Sequence, residues 1–191
     1  MAASSATAFD RHQFDAIYPP GVEAHYWVRA RNRLIGGFLA ELGLPADEPI
    51  LEIGCGRGIV VAYLAARGRH IEGVELAPVP PVPEAAARVR SGLGFEALPE
   101  ADRARYRTLL LLDVIEHIGD RPRFLREILA AFPAARRIVV TVPARQEVWS
   151  NYDEFNGHFL RYDIPELERL AAASGLRCAG ARYLFHALYW P

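Results

Sequence analysis

Apolar residues in this chain gather in short runs that alternate with amphipathic stretches. Residues 49–53 (PILEI), 70–76 (HIEGVEL), 107–114 (RTLLLLDV) and 136–143 (RRIVVTVP) are strongly apolar runs, the pattern of strands buried on both faces. Residues 57–67 (RGIVVAYLAAR) and 120–132 (DRPRFLREILAAF) instead space their apolar residues for one face of a helix. A leading helix is expected over 20–43, ended by Gly43 and Pro45. A modest helix near 83–91, a third strand at 93–97 (LGFEA), a helix at 164–174 and a sixth strand at 176–185 (LRCAGARYLF) complete the series. The predicted fold class is α/β, a doubly wound and mostly parallel sheet. Ligands are then expected beyond the carboxyl ends of the strands.

The alternation predicts one domain over 20–191, preceded by a flexible tail at 1–19. That tail is small and polar and lacks the apolar run, about 7–15 residues long, of a secretory signal. A stretch rich in aromatic and polar residues, 144–163 (ARQEVWSNYDEFNGHFLRYD), breaks the alternation and is expected to form a substrate-side loop. No transmembrane segment is expected, because no run reaches about 18 apolar residues. A net charge of −1 offers no field for nucleic acid. Every basic residue is Arg, which excludes a Schiff-base lysine and a Walker-type lysine. Two distant cysteines, Cys55 and Cys178, fit a reducing compartment, and the expected location is cytoplasmic.

The candidate chemistry begins at 51–58, LEIGCGRG, where the first strand turns into the first helix. Gly54, Gly56 and Gly58 allow a sharp turn and close approach of a ligand. Their spacing is G-x-G-x-G, and Ile59 occupies the place where a dinucleotide fingerprint needs its third glycine. Glu52 adds a carboxylate that opposes a phosphate and suits a cationic ligand. Glu75 ends the second strand, where an acidic side chain can accept hydrogen bonds from both ribose hydroxyls.

With these features the chain resembles the class I S-adenosylmethionine-dependent methyltransferases, and within them a small bacterial subgroup similar to the type 11/12 and quinone-pathway enzymes. ILEIGCGRG, GVEL, LLLLDVIEH and RIVVTVP carry the resemblance, which extends over about residues 20–185. It implies a Rossmann-like methyltransferase fold and S-adenosylmethionine as cofactor, with S-adenosylhomocysteine as product. Backbone at Gly54, Cys55 and Gly56 would cradle the methionine and ribose portion. Glu75 would hold the ribose, and Leu76 would lie against the adenine. Phe95 or Glu96 would meet the adenine amine. Tyr26, Arg29 and Arg31 could cover the methionine end, against the competing reading of a solvated arginine face. The family's sheet ends with an antiparallel strand, yet this chain stops at HALYWP soon after its sixth strand. Either the sequence is a truncated form or something else covers that edge.

Methyl transfer from a sulfonium rests largely on proximity and orientation, with at most one base. Glu116, His117 and His158 are the candidate catalytic residues, and Asp113 is placed at the cofactor–substrate boundary. Asp113, Glu116 and His117 together resemble a metal-binding cluster of some quinone-pathway O-methyltransferases. The competing reading, a helix cap and pocket floor, is preferred, so no metal is expected. Within the loop, either Trp149, Asp153, His158, Arg161 and Tyr162 form a lid over a substrate, or Trp149 and Tyr162 are core and Arg161 pairs with Asp153. The expected partner is a small-molecule acceptor, envelope-derived or quinone-like, and a homodimer is compatible with the sequence. The alternative is a non-catalytic S-adenosylmethionine-binding module completed by another chain. An NAD-dependent oxidoreductase is disfavoured by Ile59 and Glu52.

Overall fold

The computed structural model describes residues 11–185, and they fall into two compact units. The first runs to Leu112 and takes in Ala131–Val140; the second comprises Asp113–Ala130 and the described residues from Thr141 onward.

In chain order the elements are α1 (Arg11–Ile17), α2 (Tyr26–Glu41), β1 (Ile50–Ile53), α3 (Ile59–Ala65), β2 (Ile71–Glu75), β3 (Val89–Ser91), α4 (Glu100–Arg103), β4 (Thr108–Leu112), α5 (Arg121–Ala131), β5 (Arg137–Thr141), α6 (Asn151–Phe155) and α7 (Ile164–Ala173). The five strands are ordered β3-β2-β1-β4-β5. β1 pairs in parallel with β2 and β4, setting Ile50 opposite Ile71 and Thr108, and β2 pairs in parallel with β3. Every residue of β1 and β4 is buried, which explains their unbroken apolar runs. The chain builds outward from β1 to β3, then crosses back to β4. The reversal at β1 is the point where such sheets open a crevice at their carboxyl ends. Ile35, Leu39, Ile50, Val61, Ile71 and Leu110 form part of the core around this centre.

The third strand lies earlier than expected. Residues 83–91 form no helix. Three prolines (Pro80, Pro81, Pro83) leave only a short turn at Pro83–Ala85, because proline removes the amide donors a helix needs. The chain then extends as β3, with Val89 opposite Gly73. Gly92, in a left-handed conformation, ends it, and the 93–97 stretch forms a tight turn at Phe95–Ala97 instead.

Nor do residues 176–185 form a sixth strand. Their centre, Ala179-Gly180-Ala181, offers little side chain to bury, and all three positions are exposed. Among the described residues the sheet has five parallel strands, without an antiparallel one; HALYWP, apart from Phe185 before it, lies outside them. At the other end, part of the expected tail is ordered: α1 buries Phe14 against Ala77 and Val79.

The second unit holds the stretch at 144–163, which is folded rather than extended. Its ends meet in a bridge between Ala144 and Tyr162. Capping boxes start both α6, at Ser150 and Asp153, and α7, at Asp163 and Glu166, each satisfying amide donors at the helix start.

Candidate functional site

In the first unit the turn after β1 is shaped by glycines that no other residue could replace. Gly56 has φ 54° and Gly58 φ 75°, the left-handed region that side chains avoid. A Cβ at Gly58 would lie 2.6 Å from Val89 Cγ2. A Cβ at Gly56 would lie 2.7 Å from the Tyr18 hydroxyl. Tyr18 therefore sits directly over the loop, its ring stacked on Phe14.

Glu75, buried at the end of β2, fastens that turn. Its Oε2 accepts the Gly56 N–H at 2.8 Å and its Oε1 accepts the Ala77 N–H at 2.8 Å. Burial pushes its pKa up, against the lowering by those backbone donors. Each carboxylate oxygen retains lone-pair capacity for a further donor. Glu52 is buried within β1. The Cys55 thiol is buried, and its pKa is raised by burial first and by Glu52 and Glu75 next, so it is a neutral packing group rather than a nucleophile. Gly73 makes room for its sulfur, since a Cβ there would lie 2.6 Å from Sγ.

Phe95 and Glu96, the two candidates for the adenine amine, sit in different surroundings. Phe95 is buried and packs on Phe132 at 6.0 Å. The Glu96 carboxylate instead lies over Gly94, beside half-exposed Leu76. Tyr26 is 76% exposed, Arg29 is exposed as well and Arg31 is half-buried.

The second unit carries the titratable side chains. Asp113, the residue after β4, has φ 59° and accepts a 2.9 Å hydrogen bond from Thr141 Oγ1. Glu116 and His117 follow in a tight turn, Ile115–His117, with Glu116 fully buried. The Phe159 N–H donates to the Glu116 carbonyl at 2.8 Å, tying the loop to this turn. The imidazoles of His117 and His158 meet edge to face at 4.8 Å. One ligand atom from each of Glu116, His117 and His158 lies within 4.8 Å of the others. Burial, with His158 adding to it, lowers His117 to about 4, so it is neutral near pH 7.

His158 is held from behind. Its Nδ1 lies 2.8 Å from Asp153 Oδ1, and Asp153 is fully buried. The same carboxylate accepts from Arg161 Nε at 2.8 Å and from the Ser150 N–H at 2.9 Å. Burial pushes Asp153 up, but the bonds from Arg161, His158 and Ser150 outweigh it and hold the carboxyl at about 2. A carboxylate accepts only, so His158 Nδ1 donates to Asp153 and the ring's other nitrogen, Nε2, is turned away from this contact. Tyr162 is core, its hydroxyl donating to the Ile115 carbonyl at 3.2 Å.

A family profile described as a methyltransferase domain matches residues 26–179. The chain belongs to the class I S-adenosylmethionine-dependent methyltransferase family. It is similar to the ubiquinone biosynthesis O-methyltransferase of Methylobacterium nodulans, 36% identical over 89 residues, which are 43% of this chain and 35% of that enzyme. The chain matches only 35–40% of the length of the curated relatives. In fold it is similar to the Burkholderia thailandensis 1,6-didemethyltoxoflavin-N1-methyltransferase, at TM-score 0.56 and 22% identity over 88% of this chain and 80% of that one. It is likewise similar to the Haemonchus contortus phosphoethanolamine N-methyltransferase 2, at TM-score 0.60 and 19% identity over 91% of this chain and 44% of the other. Both of those structures contain S-adenosylhomocysteine. Among the described residues, no helix of this methyltransferase-family chain is long and apolar enough to cross a membrane.

The residues of the first unit fit the family's cofactor. The turn leaves its three glycine positions without a Cβ, and the Glu75 carboxylate stands against it with acceptor capacity left. Sequence reasoning grouped Glu116 and His117 with Asp113 and brought His158 forward from the loop, and the fold sets His158 beside Glu116 and His117. It missed Tyr18 and the orienting role of Asp153. The spacing of Phe14 and Tyr18, four residues apart as on one helix face, was the available sign of the first. Nothing in the sequence linked Asp153 to His158 rather than to Arg161 alone.

Proposed function

We propose that this protein transfers the methyl group of S-adenosylmethionine to a small-molecule acceptor bearing an ionisable hydroxyl, of the quinone-precursor kind. The observation that carries this reading is the gathering of Glu116, His117 and His158 directly after β4. A proton-accepting group of this kind is needed when the acceptor is an O–H. The relatives named as ubiquinone biosynthesis O-methyltransferases support an oxygen acceptor.

In this reading the backbone of Gly54, Cys55, Gly56 and Gly58 cradles the methionine and ribose portion. Glu75 accepts from the ribose hydroxyls, Leu76 covers the adenine, and Glu96 accepts from the adenine amine. Glu52 contributes negative potential that favours a cationic ligand. When bound, the cofactor would supply a methyl group on a sulfonium, whose carbon an oxygen nucleophile would attack in line while the thioether sulfur leaves with the electron pair. His158 Nε2, oriented by Asp153, takes the acceptor's proton, with neutral His117 and Glu116 as its polar surroundings.

Calorimetry with S-adenosylhomocysteine tests the cofactor half of the reading. Wild type should bind, and Glu75→Ala should bind more weakly by roughly tenfold or more. Absence of binding by wild type overturns the proposal, and unchanged affinity in the variant removes the ribose role. A panel of phenols, catechols and amines with labelled S-adenosylmethionine tests the acceptor half. Label transfer to amines alone overturns the oxygen acceptor.

A further inference from the structure

Large apolar side chains are mostly covered in this chain, and the exceptions are unevenly placed. Among the described residues eight stand exposed, and four of them, Val148, Tyr152, Phe155 and Phe159, belong to one stretch of the second unit. A single exposed hydrophobic residue carries no meaning, but a local concentration marks a surface that meets something. The barest of the four is Tyr152, at 63% exposure.

Its backbone, by contrast, is anchored. The Tyr152 N–H donates to Ser150 Oγ at 3.3 Å, and its carbonyl accepts from Asn156 Nδ2 at 2.6 Å. In α6 and the residue that ends it, Asp153 and Asn156 form the buried face, while Tyr152 and Phe155 look outward. A ring carried on a fixed backbone loses little conformational freedom when a ligand covers it. Tyr152 also has a fixed neighbour. Its ring meets the His158 imidazole edge to face, with centroids 6.3 Å apart and planes at 80°. Asp153 sets both partners, since its Oδ1 accepts from His158 Nδ1 and its Oδ2 accepts the Ser150 N–H of the cap that holds Tyr152.

We propose that Tyr152 selects the acceptor: its exposed ring packs on a planar aromatic acceptor and sets the acceptor's hydroxyl against His158. The inference rests on the reading of His158 as the proton-accepting group and adds to it the class of molecule admitted. Aromatic rings gain from offset or edge-to-face contact beyond the area they cover, and a saturated ring of the same outline does not share that gain. At the Tyr152 hydroxyl, burial first and Asp113 next raise the pKa. The group therefore stays neutral, and beside the acceptor it is a hydrogen-bonding phenol rather than a charge.

Pairs of aromatic probes and their saturated analogues test the assignment: catechol with cyclohexane-1,2-diol, and 2-naphthol with decahydro-2-naphthol. Calorimetry with and without S-adenosylhomocysteine reads binding, and labelled S-adenosylmethionine reads transfer. Wild type should hold the aromatic member of a pair more tightly by about tenfold. Tyr152→Leu should lose most of that preference, raising KM for catechol about tenfold with kcat within about threefold, the mark of lost binding rather than lost chemistry. Tyr152→Phe keeps the ring and should keep the preference. Because the side chain is exposed, both variants should unfold within about 2 °C of wild type. No aromatic preference in wild type, or a preference that survives in Tyr152→Leu, overturns the assignment. A loss shared equally by aromatic and saturated probes overturns it too, as a general disturbance of the loop. Self-association of wild type in sedimentation that Tyr152→Leu abolishes would give the ring to a contact between copies instead. Aromatic binding that depends on Tyr152, with label transferred to no hydroxyl, would leave this inference standing and remove the oxygen-acceptor reading. Label transfer to catechol with KM unchanged in Tyr152→Leu would do the reverse.

Discussion

Glu75 and Asp153 are both buried carboxylates, each accepting several hydrogen bonds, yet their pKa values move in opposite directions. Glu75 receives backbone N–H groups from Gly56 and Ala77, and burial still raises it. Asp153 receives the Arg161 guanidinium and the His158 ring as well, and is held at about 2. Dipoles alone do not offset the loss of water around a buried charge, whereas a full positive charge at 2.8 Å does. The difference suits their places. Glu75 fastens a turn of backbone amides, and Asp153 anchors a histidine and an arginine.

The largest expected effect comes from removing Asp153. Asp153→Ala leaves Arg161 and His158 without their shared partner, and breaking a buried pair in this way costs about 3–5 kcal/mol. Urea unfolding measures it; a loss below about 1 kcal/mol would mean the network is not a stabilising anchor.

The pH dependence separates the two carboxylates by sign. Asp153 is depressed from its ordinary 3.8 to about 2, so its contribution is present above pH 4 and disappears as pH falls through 2, a loss of about 2 kcal/mol. Glu75 is raised from 4.5, so its protonated form stabilises at low pH and that contribution is lost as pH rises through its folded pKa. His117, lowered from 6.5 to about 4, stays neutral in the fold, and stability falls as pH drops from 6.5 toward 4. Unfolding curves between pH 2 and 8 should lose the lowest step in Asp153→Asn and the 6.5-to-4 step in His117→Gln. Identical profiles for all variants would refute these assignments.

Glu75→Gln sharpens the comparison on the binding side. The amide keeps one acceptor and gives up the other, so S-adenosylhomocysteine affinity should fall by roughly tenfold, less than in Glu75→Ala. Asp153→Asn should leave that affinity unchanged within about twofold, since mutations without shared partners act separately. Equal losses in both variants would join the two regions energetically.

The smallest contrast lies between two left-handed glycines. Gly58→Ala meets both a φ of 75° and Val89 at 2.6 Å, and should cost about 2–3 kcal/mol. Gly157→Ala has φ 64° but open space around it, and should cost about 1 kcal/mol. Thermal unfolding distinguishes them, and equal shifts would show that packing at Gly58 adds nothing.

The strands at 50–53, 71–75, 108–112 and 137–141 were legible because each is a short, largely apolar run bounded by turn or charged residues, a pattern that needs no partner to reveal it. The third strand was not, because three residues carry too short a pattern and the prolines before it mask the helix boundary. The glycine turn and Glu75 were legible for a related reason. They lie next to strand ends, and their spacing records a backbone conformation that glycine alone adopts.

The sequence by itself therefore determined four of the five strands, the glycine turn and the acidic end of β2, all properties of short segments. Only the tertiary structure decided which titratable groups act together. His158 reaches His117 and Glu116 because the loop at 144–163 folds back and is pinned at Ala144 and Tyr162. Asp153 serves His158 as well as Arg161 because the α6 capping box aims its carboxylate inward. Contacts between distant segments follow from chain closure and packing, which leave no fixed spacing in the sequence to read.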